Sequence, residues 1–182
     1  PKNLVYRAAS GLLEGVTRHQ LALSIQCHNS IPLARGLGSS AAAVVGGLLA
    51  ANEILQRPYS QEELMSMADA MEGHPDNVVP ALLGGCQVVV KEHDSLLNTR
   101  IPIPGGIQAV LFIPDIPMPT SKARAILPAK VSRQDAVYNV GRVAMLVAAL
   151  TTGQLEHLWA ATRDKLHQPA RESLLPQMPL IF

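Results

Sequence analysis

The sequence predicts an α+β fold, with strands in the first two thirds of the chain and helices dominating the last third. Three patterns support it: helical apolar spacing at the start, strand-like alternation in several segments, and helix-like segments from Thr120 onward. A doubly wound parallel sheet would require strands and helices to alternate along the whole chain, which they do not.

The first predicted elements are a helix, a strand and a second helix. Asn3 is a typical N-cap residue, and the apolar spacing that follows predicts a helix over residues 3–15. Residues 20–28 alternate between apolar and polar side chains, which predicts a half-buried strand. A run of small residues over 41–55 predicts a tightly packed helix behind a glycine-bearing loop.

The next predicted helix has clear boundaries. Ser60 and Glu63 have the spacing of a capping box, and Gly73 is placed to end the helix. Residues 86–91 and 108–113 are predicted strands, separated by a segment rich in turn-forming residues. The rest of the chain is predicted to be helical, over residues 121–127, 135–152, 155–166 and 169–175.

Composition restricts the function classes. Of the 182 residues, 48% are apolar and 16% charged, which argues against intrinsic disorder and suits one domain, or one domain plus part of another. A net charge of +1 argues against a general nucleic-acid binder. Two cysteines, Cys27 and Cys86, and the lack of an apolar run of about 20 residues predict a cytoplasmic protein with no membrane partner.

The glycine-bearing loop before the second helix is the main candidate for a binding site. Gly36 and Gly38 allow backbone amides to turn toward an anion, and Ser39 and Ser40 begin a helix with free N–H groups. No lysine follows as in a Walker motif, and Ala41 stands where a dinucleotide fingerprint has its third glycine. The loop alone predicts either a phosphate cradle or a tight strand-to-helix turn capped by serines.

The residues of this loop resemble the ATP-binding motif of the GHMP kinases, the family of galactokinase and of the homoserine, mevalonate and phosphomevalonate kinases. The motif consists of Pro32, Leu33, Ala34, Arg35, Gly36, Leu37, Gly38, Ser39, Ser40, Ala41 and Ala42.

Three further motifs resemble the homoserine kinases, one branch of that family. All follow the first motif in the family's order, so that the resemblance extends over nearly the whole chain. They are the segment 72–81, the segment 120–124 with Leu127 and Pro128, and the segment 167–169 with Arg171.

The resemblance implies a fold and an activity. It implies the GHMP kinase fold, with a ribosomal protein S5 domain 2-like N-terminal part and a partial ferredoxin-like C-terminal part. Residues 1–100 would be the ATP-binding domain, incomplete at its N-terminus, and residues 101–182 a C-terminal domain incomplete at its C-terminus. The implied reaction is ATP-dependent phosphorylation of L-homoserine on the way to threonine, by a cytoplasmic enzyme that is a homodimer at full length.

The resemblance also assigns the groups around ATP. The backbone of residues 35–40 would hold the phosphates, with Ser39 beside them, and Ser40 and Glu72 would bind Mg²⁺. Glu72 could instead be a solvated residue at a helix end. However, a negative charge near a helix C-terminus is disfavoured by the helix dipole, which favours a functional role.

A second group of residues is implied to bind the amino acid. His74, Asp76 and Asn77 match positions that line the substrate site, with Asp76 on the ammonium group and Asn77 near the reacting hydroxyl. Taken alone, the segment could be a turn in which Asp76 caps the next helix, and the two roles are compatible. Asn77, Glu72 and Ser40 are the implied catalytic residues, and the route of the hydroxyl proton stays open.

The remaining substrate residues lie late in the chain. Thr120 and Arg124 are four residues apart, which places them on one face of a helix. Arg124 and Arg171 suit the substrate carboxylate because guanidinium groups bind carboxylates in a forked geometry. The alternative for both arginines is a solvated surface position.

Two other functions remain open from the sequence. One is a GHMP kinase with a different alcohol, such as mevalonate or an isoprenoid intermediate, and the other is a nucleotide-binding module without turnover. The family's N-terminal segment and glycine-rich third motif have no counterpart here, so we expect the chain to be the middle of a longer kinase.

Overall fold

The chain divides into two units, which we describe separately from a computed structural model. One unit comprises residues 1–33 and 37–100, and the other comprises residues 34–36 and 101–182. The structure describes residues 3–17, 22–93, 95–113 and 120–176. No helix within these ranges has both the length and the apolar content needed to cross a membrane.

Four helices build the first unit. They are α1 (Leu4–Thr17), α2 (Ser39–Ile54), α3 (Gln61–Glu72) and α4 (Pro75–Leu83). α2 is central, because it contacts α1, α3 and α4. The apolar faces of the four helices form one core, whose largest fully buried side chains are Leu13, Val44, Val78 and Val79.

The predicted start of α1 and both predicted boundaries of α3 are confirmed. The Asn3 side chain accepts a hydrogen bond of 3.0 Å from the Tyr6 N–H at the start of α1. Ser60 and Glu63 form both bonds of a capping box, at 2.8 and 3.2 Å, and so begin α3. Gly73 ends that helix in the left-handed conformation, with φ of 78°.

The predicted close packing of the small-residue helix is also confirmed, at Gly47. A Cβ atom at this position would lie 2.5 Å from the Val5 carbonyl oxygen and 2.8 Å from the Ala8 Cβ. Both distances are far below van der Waals contact, so α1 and α2 approach each other closely only because residue 47 lacks a side chain.

Two strands follow the helices and form a two-stranded sheet, β1 (Cys86–Glu92) and β2 (Ser95–Ile101). β1 confirms the predicted strand at 86–91, whereas β2 lies in the segment that was expected to be turn-rich. The other two strand predictions are wrong: residues 22–28 and 108–113 form no strand, and residues 20–21 lie outside the described part. Alternation and apolar composition measure propensity only, whereas a strand also needs a neighbouring backbone to pair with.

The second unit is built mainly from helices. Its elements are α5 (Thr120–Ala125), α6 (Arg133–Thr152), a 3₁₀ turn (Leu155–His157), α7 (Leu158–Ala161) and α8 (Gln168–Glu172). α6 begins at a serine cap and packs against α7 and the 3₁₀ turn. Every element of the described part is therefore a helix or one of the two paired strands, which confirms the α+β class.

The predicted helix over 155–166 is wrong beyond Ala161. The Asp164 carboxylate accepts hydrogen bonds from the backbone N–H groups of His167 and Gln168. An aspartate that bonds to nearby backbone in this way competes with continuation of a helix and favours the start of a new one. The next helix, predicted at 169–175, accordingly begins at Gln168 and ends at Glu172.

Candidate functional site

The glycine-bearing loop leads directly into α2. Gly36 and Gly38 have φ angles of 71° and 73°, in the left-handed region where residues with a side chain are strained. Gly38 is the N-cap of α2, and no described side chain caps the helix there, so the alternative of serine caps is wrong. The first N–H groups of α2 have no acceptor within the helix, and the positive end of its dipole coincides with them.

Ser40 and Glu72 meet at this helix terminus. Ser40 is the second residue of α2, and its hydroxyl donates a hydrogen bond of 2.6 Å to Glu72 Oε1. Glu72 is the last residue of α3 and is half-buried. Two residues that are 32 positions apart in sequence are thus joined at one point, where α3 ends against the start of α2.

The position of Glu72 has an electrostatic explanation that the sequence alone does not give. Its carboxylate is disfavoured by the dipole of α3, because it lies at the C-terminus of that helix. The same carboxylate contacts Ser40 in the first turn of α2, where a negative charge is favoured. The cost at one helix end is therefore offset at the other, and the pair places a hydroxyl oxygen and a carboxylate oxygen side by side at the N-terminus of α2.

Asn77 also lies against the loop, at Gly38. A Cβ atom at Gly38 would come within 3.3 Å of Asn77 Oδ1, so the amide oxygen lies directly against the loop backbone. Asn77 is held there by α4, which begins at Pro75 with the proline fixing the first helical residue. Gly38 is thus favoured by its positive φ, and a side chain at this position would also crowd Asn77.

His74 and Asp76 flank the same helix start. His74 is the N-cap of α4, so the prediction that Asp76 caps this helix is wrong, and Asp76 lies in its first turn instead. His74 Nδ1 is 3.1 Å from Asp76 Oδ1, which is ion-pair distance, but the angle is not that of a hydrogen bond. The Asp76 side chain is 68% exposed and is accessible to a ligand.

Six of the predicted site residues therefore lie together in the first unit. They surround the junction of the loop with α2, α3 and α4, and each is positioned by a helix end: Gly38, Ser40, Glu72, His74, Asp76 and Asn77.

The predicted residues Thr120, Arg124 and Arg171 belong to the second unit. Thr120 and Arg124 both lie on α5, one turn apart, and Arg124 is exposed. Arg171 lies on α8, and its Nε atom is buried without a hydrogen-bond partner among the described residues. A buried guanidinium N–H of this kind retains a donor for an incoming acceptor.

Asp164 organises the segment that contains Arg171, and the sequence analysis missed it because it placed this residue inside a helix. Burial raises the pKa of Asp164, but hydrogen bonds from the backbone of Gln168, from the Asn139 side chain and from the backbone of His167 outweigh burial. The resulting pKa is well below its ordinary value. The signal that could have identified it is an aspartate five residues before Pro169, the predicted start of the next helix, because aspartate side chains often bond to backbone N–H groups just before a helix.

The described residues contain no group of three or more His, Cys, Asp or Glu side chains that could hold a metal ion together. Ser40 and Glu72 are a smaller set, of the kind that Mg²⁺ uses when substrate phosphates and water complete its ligands.

Comparison with known proteins gives consistent results. Residues 3–85 match the family model for the GHMP kinases N-terminal domain. Over 181 residues the chain is 45% identical to a homoserine kinase from Moorella thermoacetica, and over 174 residues it is 44% identical to one from Petrotoga mobilis. The crystal structure of a homoserine kinase from Cytophaga hutchinsonii superposes with a TM-score of 0.78 at 29% identity.

These matches cover the chain and the relatives unequally. The two bacterial sequences match 100% and 96% of this chain but only 61% and 57% of their own lengths. The crystal structure likewise matches 99% of this chain and 58% of its own. The chain thus spans about three fifths of the curated relatives it matches.

Proposed function

Because residues 3–85 match the GHMP kinases N-terminal domain and the chain is 45% identical to a homoserine kinase, we propose that the full-length protein transfers the terminal phosphoryl group of ATP to the side-chain hydroxyl of L-homoserine. The observation that supports this most directly is the Ser40–Glu72 pair at the amino-terminal end of α2, beside a glycine loop. Phosphoryl transfer depends mainly on positioning and on charge neutralisation, and this arrangement provides groups for both.

The loop backbone is proposed to bind the phosphates of ATP. The left-handed glycines at 36 and 38 leave the backbone open, and the unpaired N–H groups at the start of α2 face an incoming anion. Ser39 and the backbone of residues 35–40 contribute N–H groups, so that binding does not depend on an excess of positive side chains. This explains how a protein with a net charge of +1 could bind a polyanion.

Ser40 and Glu72 would hold Mg²⁺. Their oxygens are 2.6 Å apart, near enough to be ligands of one ion, and a hydroxyl with a carboxylate is a donor set that suits a hard cation. When bound, the ion would neutralise negative charge that develops on the phosphate oxygens. The protein's own contribution is to keep the Glu72 carboxylate at the end of α3, opposite the first turn of α2.

The residues at the start of α4 are proposed to bind homoserine. Asp76, with its exposed carboxylate, suits the substrate ammonium, and His74 lies beside it. The Asn77 amide oxygen lies against Gly38, which places a hydrogen-bond acceptor for the substrate hydroxyl next to the phosphate loop. An amide does not take up a proton, so Asn77 would orient the hydroxyl while its proton passes to a phosphate oxygen or to solvent.

Arg124 and Arg171 are proposed to bind the substrate carboxylate, with Thr120 in the same site. A buried Nε donor on Arg171 and an exposed guanidinium on Arg124 suit forked hydrogen bonds to a carboxylate. An amino acid needs both this anion partner and the ammonium partner Asp76, whereas mevalonate needs no ammonium partner. The residue set therefore favours homoserine over the other alcohols of the family.

The remaining parts of the proposal concern the whole protein. We propose a cytoplasmic homodimer that acts on the route to threonine, in which residues 1–100 belong to the ATP-binding domain and residues 101–182 to the C-terminal domain. The names of the curated relatives support the pathway.

The substrate is tested by measuring ADP release from the full-length protein with homoserine or with mevalonate, each with ATP and Mg²⁺. We expect turnover with homoserine and none above background with mevalonate. Turnover with mevalonate alone would assign a different GHMP activity. Binding of a non-hydrolysable ATP analogue without turnover on either alcohol would instead support a nucleotide-binding protein.

A further inference from the structure

The second unit contains a polar network centred on the half-buried Asp164. From α6, the Asn139 amide donates a hydrogen bond to Asp164 Oδ1. The Asn139 carbonyl oxygen accepts a bond of 2.9 Å from the Lys165 N–H. One asparagine side chain therefore ties both Asp164 and the residue after it to the longest helix of the unit.

The other oxygen of the same carboxylate begins α8. Asp164 Oδ2 accepts hydrogen bonds of 2.6 and 2.5 Å from the backbone N–H groups of His167 and Gln168. Gln168 reciprocates, because its side-chain oxygen accepts the Asp164 N–H at 3.1 Å and its amide donates to the Thr162 carbonyl at 3.2 Å. The start of α8 is thus fixed from both sides.

α8 depends on this fixation. It has only five residues, far fewer than an isolated helix needs in water. The Arg171 N–H bonds to the His167 carbonyl at 2.9 Å, so the backbone of Arg171 follows directly from the turn that Asp164 holds. The Arg171 Nε has no hydrogen-bond partner among the described residues, so this atom does not anchor the side chain. The position of Arg171 therefore depends on the turn.

We propose that Asp164 is a positioning residue that, together with Asn139, holds Arg171 in place for the substrate carboxylate. This inference rests on the proposed function, since it assigns the support of one of its substrate-binding residues. Asp164 does not itself contact substrate in this proposal. It acts through two backbone N–H groups in the turn that carries Arg171, so its loss should weaken the binding of homoserine and leave the binding of ATP unchanged.

Exchange of the two network residues provides a test. In Asp164→Asn, the new side-chain oxygen can still accept from the backbone N–H groups of His167 and Gln168. The new NH₂ group then points toward the NH₂ group of Asn139, so two donors face each other. In Asn139→Asp, two carboxylates face each other. The double variant Asn139→Asp/Asp164→Asn restores complementarity: the carboxylate at 139 accepts from Lys165 N–H and from the amide at 164.

Steady-state kinetics of the full-length protein give the first measurement. We expect each single variant to raise the KM for homoserine about tenfold, the effect of one lost charge-assisted hydrogen bond, with little change in the KM for ATP. The double variant should return to near the wild-type KM. Thr151→Ala is the matched control, because Thr151 lies on the helix that carries Asn139 and its hydroxyl donates only to the Val147 and Ala148 carbonyls in the described part, so the KM for homoserine should stay unchanged.

Amide hydrogen exchange gives a second measurement that does not depend on activity. We expect faster exchange at His167 and Gln168 in the single variants and recovery in the double variant. Unchanged exchange and unchanged KM in Asp164→Asn would overturn the proposal, and so would equal increases in KM for both substrates. If the wild type lacks turnover with homoserine, the proposed function fails, while the exchange rates still decide whether Asp164 holds the Arg171 turn.

Discussion

The two units of this chain hold their candidate site residues by different means. In the first unit the helices that carry Ser40, Glu72 and Asn77 share one apolar core. In the second unit the buried apolar side chains described are small or few, and α6 exposes Val137, Val140 and Val143, with Val140 at 70%. The turn carrying Arg171 is fixed instead by hydrogen bonds to one carboxylate.

This difference predicts which changes, in pH or in side-chain volume, should disturb the site residues of each unit. Packing against an apolar core is insensitive to pH and sensitive to side-chain volume. A network around a charged carboxylate is sensitive to protonation and to the direction of each hydrogen bond. The first unit should therefore respond most to added volume, and the second to acid and to changes of polarity.

The largest effect is expected at Gly47, where α1 and α2 touch. Gly47→Ala should lower the free energy of unfolding by about 3 kcal/mol or more, because the new Cβ overlaps the α1 backbone. Gly46→Ala is the control on the same helix, and Gly141→Ala is the counterpart on α6. Neither has a neighbour within 4 Å, so each should stabilise by about 0.5–1 kcal/mol through helix propensity.

Urea unfolding followed by circular dichroism measures all three glycine variants. Equal effects at positions 46 and 47 would show that the close contact of α1 with α2 does not contribute to stability.

The next largest effect is expected on activity, at the polar junction that the packed helices create. Glu72→Gln in the full-length protein should lower kcat about 100-fold, since it removes a proposed metal ligand and its charge, while changing the free energy of unfolding by less than about 1 kcal/mol. Glu53→Gln is the matched control, because Glu53 is an exposed carboxylate that bonds only to Arg57 in the described part. An unchanged kcat at saturating Mg²⁺ would remove Glu72 from the metal site.

The smallest effect is expected in the polar network, and it depends on pH. The folded-state pKa of Asp164 is below its ordinary value of 3.8, so its contribution is fully present above that pH and is lost as the pH falls further. Asp164→Asn should therefore lower the free energy of unfolding by about 1–2 kcal/mol at pH 7 and by less at pH 3.

Trp159 fluorescence follows this loss locally, because it is the single tryptophan of the chain and lies on α7, with the Arg163 guanidinium 3.6 Å from its ring centroid. A difference between wild type and variant that stays constant from pH 7 to pH 3 would show that the network does not use the charge of Asp164.

The sequence was most informative where structure is local. Asn3, the Ser60–Glu63 box and Gly73 were predicted from spacing alone, because each bonds to backbone within four residues. The strand predictions at 20–28 and 108–113 were wrong in the described part because pairing is not local. β2 forms in a segment whose strand pattern is weaker, because β1 provides a neighbouring backbone with which it pairs.

Site residues show the same division. Resemblance identified the candidate residues around the glycine-bearing loop, and their assigned roles stay predictions. It did not reveal that Glu72 lies against the first turn of α2, that Asn77 Oδ1 rests on the Gly38 backbone, or that Asp164 holds the Arg171 turn. Each of these contacts depends on where a second element lies.

By itself, then, the sequence determined the α+β class, the helix caps and the resemblance to the GHMP kinases, because short-range bonding and motif order depend on residues that are close together in sequence. Only the tertiary structure decided which carboxylates have their negative charge stabilised, and which groups stabilise it. Whether a charge at a helix end is favourable depends on the group that it contacts. Glu72 contacts Ser40, 32 residues away, and Asp164 contacts Asn139, 25 residues away, and neither pairing can be read from the sequence.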